Sequence, residues 1–151
     1  MLLANTAKRL PYTLVPFLLS MFCLVMALNK VGFTKSISGI FEQGETIFTY
    51  GLTSLLSCNL INNIPMSVLY ENIIAYASTS TQIKALFSAI IGSNLGAFLT
   101  PIGALAGIMW MSILKQYGIR FTFLDFMKYG IPIGTLSALA ALGGLELVFL
   151  F

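Results

Sequence analysis

The chain has 151 residues, 58% of them hydrophobic and 9% charged, with a formal net charge of +3 and no histidine. Its mean hydropathy is +0.92, more apolar surface than a soluble domain of this length can hide, so lipid is the solvent for much of it. The basic residues are scattered between apolar runs rather than gathered on one surface, which excludes a nucleic-acid binder and fits topology-setting charges. Cys23 and Cys58 lie in separate apolar segments without metal-ligand spacing, so neither a disulfide framework nor a metal site is expected.

In chain order, residues 10–28 read as a first membrane span. The apolar run behind Lys8 and Arg9 is too long for a signal-peptide core and has no A-x-A site. Pro11 is cheap near its first turn, whereas Pro16 is expected to kink it. Residues 30–45 follow as an interfacial helix, with Phe33, Ile37, Ile40 and Phe41 at helical spacing.

The next apolar stretch, 46–77, is broken by "SCNLINNIPM". Each half falls short of a ~30 Å hydrocarbon core at ~1.5 Å per residue. The expectation is a re-entrant helical hairpin with its tip buried in protein at mid-membrane. Residues 84–117 read as a discontinuous span interrupted by "SNLGAFLTPIG", 118–128 as an aromatic-rich interfacial linker, and 129–151 as a last span. Both breaks combine serine, asparagine and a following proline. Thr100 with Pro101, and Asn63 with Pro65, look like helix starts whose unpaired N–H groups would face a solute.

Counting charges on either side of these spans places Lys8, Arg9, Lys115, Arg120 and Lys128 together. The positive-inside rule then puts the N-terminus in the cytoplasm and the C-terminus outside, in a multi-pass protein of the plasma (inner) membrane. Paired polar breaks at half-helix ends are the pattern of a secondary-transporter binding site. No nucleophile–base pair or metal cluster suggests an enzyme, and no cofactor is called for.

"NLINNIPMSVL" (59–69) and "GSNLGAFLTPIGALAGIMWMSILKQYG" (92–118) resemble the two signature regions of the arsenical-pump membrane proteins. These belong to an ion-transporter superfamily that also holds citrate and dicarboxylate transporters. The resemblance implies an all-α membrane fold built of two inverted repeats, each with a re-entrant hairpin and a broken helix, of which this chain supplies the second. It implies solute contacts at Ser57, Asn59, Asn62, Asn63 and Pro65 of the hairpin tip, and at Ser93, Asn94, Gly96, Thr100, Pro101 and Gly103 of the helix break. It further implies arsenite or another small anion as solute, sodium or proton coupling, an N-terminal repeat as partner in the same or a separate chain, and in some members an ATPase subunit.

The polar breaks contain no arginine, which suits an uncharged trihydroxide such as arsenite better than a dicarboxylate. Glu71, about two turns from the tip, is a candidate proton carrier. Cys58 reads as a small apolar filler rather than an arsenic ligand. The alternatives are half of a sodium-coupled dicarboxylate symporter, or a non-transporting remnant or accessory subunit.

Overall fold

The computed structural model of the protein describes residues 14–150. Lys8, Arg9, Pro11 and the start of the 10–28 span lie outside the described residues. The described residues form seven helices: α1 (Leu14–Lys30), α2 (Phe33–Phe41), α3 (Thr46–Ile61), α4 (Asn63–Ile74), α5 (Thr79–Gly96), α6 (Leu105–Gln116) and α7 (Phe123–Leu150). Among the described residues there is no strand. The described residues are therefore all-α, as composition and periodicity predict.

Three boundaries differ from the sequence expectation; at the first two, polar residues near the helix end rather than the apolar run set where it starts. α5 begins at Thr79 rather than 84, behind a Ser78 whose carbonyl accepts the N–H groups of Thr81 and Gln82. α7 begins at Phe123 and takes in much of the expected linker. Its start is a capping box: Thr122 N–H donates to Asp125 Oδ2 at 2.9 Å, and Asp125 N–H donates to Thr122 Oγ at 3.1 Å. The helix after the second break starts at Leu105, with Ala104 as its cap, and not at Pro101.

α1 and α2 are bent by 74° at Gly32, whose φ of +79° lies in the left-handed region that glycine adopts without strain. The bend is held by Asn29, which accepts from Thr34 Oγ at 2.7 Å and donates to Asn72 Oδ1 on α4 at 2.9 Å.

The centre of the fold is a seam between α3 and α5, which run side by side in the same direction. Gly92 faces Gly51 and Ser54, Gly96 faces Leu55 and Cys58, and Gly103 faces Asn59. The α5 side of the seam consists of Ala85, Ser88, Ala89, Gly92 and Gly96, all buried. Small residues at this spacing let two backbones approach until dispersion contacts and short polar contacts hold them, which is how helices associate where lipid removes the hydrophobic drive.

α7 lies antiparallel to α5. Gly134 meets Leu99, Leu142 covers Gly51, and Lys84 Nζ sits 5.3 Å over the Phe149 ring. α4 turns back beside α3, so that Ser57 Oγ and Tyr70 Oη are 3.4 Å apart. One end of the bundle thus gathers the C-terminal ends of α1, α4 and α7 with the N-terminal ends of α3 and α5. There Glu42 Oε1 accepts the Ser78 N–H at 3.1 Å.

α7 is the described helix that is by itself long and apolar enough to cross a membrane; α1 and α2 pass that test only as a bent pair. α3, with 16 residues, and α4, with 12, measure only ~24 and ~18 Å. α6 buries none of its residues, and Leu60, Leu136 and Val148 stand exposed. That much uncovered apolar surface is stable only against lipid or another polypeptide.

Candidate site at the paired helix breaks

The two polar breaks, some forty residues apart in sequence, bind one another. α3 ends at Ile61, and the single residue Asn62 joins it to α4 with φ 66° and ψ 149°. With ψ at 149° this lies outside the left-handed helical well that asparagine tolerates, in a region that is essentially glycine's, so the surrounding bonds must hold it. Here Oδ1 accepts the Ile64 N–H at 3.4 Å, while Nδ2 donates to the Ile102 carbonyl in the second break at 3.1 Å. Asn63 N–H donates to the Gly103 carbonyl at 3.0 Å.

This geometry separates two substitutions. Asn62→Gly loses two hydrogen bonds but keeps the backbone; Asn62→Ala loses the same bonds and also strains φ. The alanine variant is expected to be less stable than the glycine variant by about 1 kcal/mol in urea or thermal unfolding. Equal stabilities would show that the positive-φ turn is not maintained.

Asn59 is the hub of the contact. Its Nδ2 donates to the Leu55 carbonyl and to the Gly96 carbonyl, both at 2.9 Å, and its Oδ1 accepts from Thr100 Oγ at 2.7 Å. One side chain therefore ties the last turn of α3 to the end of α5 and to the loop that follows. A Cβ on Gly103 would come within 2.8 Å of Asn59 Oδ1, and one on Gly96 within 2.7 Å of Cys58 Sγ. Both glycines are required by close approach.

Two expectations change. Thr100 does not cap a helix; its hydroxyl goes to Asn59 because the chain turns for several more residues before α6. The start of α4 is also not an open set of donors. Its cap is Asn62 rather than Asn63, the Asn63 and Ile64 N–H groups are occupied, and Pro65 has none. The start of α6, in contrast, has no side-chain cap.

Of the remaining residues singled out from sequence, Pro65, Pro101 and Ser93 are buried, the last donating to the Ile90 carbonyl at 3.1 Å. Ser57 is half-buried against Tyr70. Asn94 is exposed on the side of α5 opposite the α3 seam, its Nδ2 on the Ile90 carbonyl at 2.9 Å. The chain does not bring Asn94 to the Asn59 cluster.

Glu71 is exposed on α4, one helical turn beyond Ser67. Both line a cleft of about 60 Å³ between α4 and α5, floored by Tyr70, Ala89 and Ser93. Tyr70 carried no sequence signal beyond being a phenol in an apolar run; its relation to Ser57 exists only once the hairpin closes. Cys58 is fully buried with Sγ on the Leu55 carbonyl at 3.3 Å, and Cys23 is exposed. Among the described residues, no group of acidic or cysteine side chains could hold a metal ion.

Comparison with known proteins gives a family match over residues 3–149, to the arsenical pump membrane proteins. The chain is similar to an arsenical pump membrane protein of Escherichia coli, with 34% identity over 90% of this chain and 36% of the relative. It is 33% identical to one of Yersinia enterocolitica over 84% of this chain and 32% of the relative. A putative arsenical pump membrane protein of Bacillus subtilis is 29% identical over 87% of the chain and 32% of its own length. The chain thus spans about a third of the length of these relatives. No solved structure matches.

Proposed function

Since the chain belongs to the arsenical pump membrane protein family, we propose that it is the solute-binding second repeat of an arsenite efflux permease. The observation that carries this reading is the direct bonding of the two polar breaks through Asn59, Asn62 and Asn63. Two half-length helices and a broken helix meeting at one polar junction supply irregular backbone inside an apolar bundle, the arrangement in which secondary transporters hold their solutes.

In this reading α3 and α4 form a re-entrant hairpin, and α5 and α6 form one discontinuous crossing. Asn59 and Asn62 position the junction, because their amides are committed to protein groups. The solute is met by groups on the open side of the junction, Asn63, Ser57 and the uncapped start of α6, and Asn94, turned away from the Asn59 cluster, meets it only across the far face of α5. Arsenous acid, an uncharged trihydroxide near neutral pH, needs donors and acceptors without a counter-charge, and these groups offer both. The exposed amide of Asn94 faces the rest of the permease, supplied by a further repeat in the same or another chain. The N-terminus is cytoplasmic and the C-terminus external, energy comes from a proton or sodium gradient with Glu71 as proton carrier, and an ATPase subunit is a further partner.

The test is arsenite uptake into everted vesicles carrying the assembled permease. Asn94→Ala is expected to lower uptake at least tenfold while leaving the thermal stability of this chain unchanged, since Asn94 bonds only its own helix. Sodium-dependent succinate uptake without arsenite uptake would replace arsenite by a dicarboxylate as the solute.

A further inference from the structure

The space between α2, α3 and α4 holds hydroxyl groups where apolar side chains would pack without polar cost. Ser38 on α2 is 2% exposed, Tyr50 on α3 0% and Tyr70 on α4 3%. The Ser38 and Tyr50 hydroxyls lie close enough to interact, but neither makes a hydrogen bond of good geometry with the other or with any further group. Buried hydroxyls are nearly always paired with protein or internal water. Two such groups side by side mark a place where a water molecule finds several polar partners.

The polar groups continue from Tyr50 in both directions. Toward the outer end of the bundle, the Glu42 carboxylate lies near Tyr50 and is itself exposed. Toward the hairpin tip, the Tyr50 and Tyr70 rings meet edge-on with centroids 6.5 Å apart. The Tyr70 phenol lies beside Thr53, and its oxygen is 3.4 Å from Ser57 Oγ, just before the Asn59–Asn62 tip. Phe41 packs on both phenols, at 5.0 Å from Tyr50 and 6.3 Å from Tyr70, and walls the line of hydroxyls with an apolar ring.

We propose that Ser38, Tyr50, Tyr70 and Ser57, joined by internal water, form a proton relay between the Glu42 carboxylate and the polar tip of the hairpin. Each hydroxyl accepts a proton from the preceding oxygen as it passes its own to the next. Only O–H bonds break and form, and the side chains end as they began. A proton taken up from water at Glu42 leaves at the tip to water or to a solute hydroxyl, and the reverse passage uses the same groups. Glu71 is not a member of this route, although it lines the α4–α5 cleft that Tyr70 floors. The destination of the protons rests on the transport reading; the hydration of the relay does not.

Hydroxyl exchange decides the matter on the chain itself. Tyrosine labelled with 13C at Cζ reports replacement of its hydroxyl proton by deuterium, and Tyr50→Phe and Tyr70→Phe assign the two lines. In lipid nanodiscs transferred to D2O, the Tyr50 hydroxyl is expected to exchange within minutes, and Ser38→Ala is expected to slow it at least tenfold. A Tyr50 hydroxyl that stays protonated for hours, or whose exchange is indifferent to Ser38, overturns the relay. In vesicles of the assembled permease, Tyr50→Phe is expected to reduce solute-coupled proton movement at least tenfold with KM for the solute unchanged. Unaltered proton movement would also overturn the relay. Wild-type vesicles that move no solute would instead remove the transport reading, and the exchange measurement would still decide the relay.

Discussion

Gly92→Ala is expected to destabilise the chain by about 3 kcal/mol, the upper part of the range for overpacking a tight core. The added methyl would lie far inside contact distance of the Gly51 carbonyl oxygen and Ser54 Oγ. Ser54 Oγ donates to that same carbonyl at 2.9 Å and is fully buried, and a backbone carbonyl cannot rotate away. α3 and α5 must therefore separate, which weakens every contact along the seam down to Gly96. Gly143→Ala and Gly144→Ala are the controls. Nothing lies within 4 Å of either new Cβ, so these changes are expected to be neutral or to stabilise by up to about 1 kcal/mol through helix propensity.

Cys58 offers the readout, because it is fully buried at the seam while Cys23 is exposed. In a Cys23→Ser background, alkylation of Cys58 measures how often the seam opens. Three kcal/mol corresponds to roughly a hundredfold faster labelling in Gly92→Ala. Labelling at the parental rate would mean that the two helices are not packed backbone to backbone.

The second large effect belongs to Asn59. Asn59→Ala leaves the Thr100 hydroxyl without its acceptor and removes one of two bonds to the Gly96 carbonyl, which keeps the Leu99 N–H; an orphaned polar group costs about 1–3 kcal/mol where water is scarce. A loss of about 2 kcal/mol is expected, with residues 97–104 becoming open to amide hydrogen exchange. Thr100→Val should cost about 1 kcal/mol alone and much less on top of Asn59→Ala, because the two share one bond. Strict additivity would deny the contact. Asn59→Ala should therefore lower transport in the assembled permease by disordering the junction, whereas Asn94→Ala lowers it without loss of stability. That contrast distinguishes a positioning residue from one that meets the solute.

The location of the breaks was legible in the sequence. An amide or a proline inside an apolar run carries a free-energy cost that any reader of composition can see, and "SCNLINNIPM" and "SNLGAFLTPIG" stand out on that ground alone. The all-helical class followed from the same runs, and the family resemblance from the residues of the breaks themselves. Helix boundaries were less legible. Ser78 and the Thr122–Asp125 box lie outside the apolar stretches, so hydropathy placed α5 too late and α7 too late as well.

The use made of each polar residue was decided by the tertiary structure. Asn59 and Asn94 are the same residue type in similar surroundings, yet α5 turns one break toward α3 and Asn94 away from it. The small residues Ala85, Ser88, Ala89, Gly92 and Gly96 mark a close-packed face, but nothing local says that its partner is a parallel α3. Of the donors expected at the start of α4, the Asn63 N–H is closed by the Gly103 carbonyl, far along the chain, and the Ile64 N–H by the neighbouring Asn62. Sequence displays the cost of a buried polar group at its own position. The partner that offsets the cost is chosen by long-range packing, and for Asn59, Asn62 and Asn63 that partner comes from the other break.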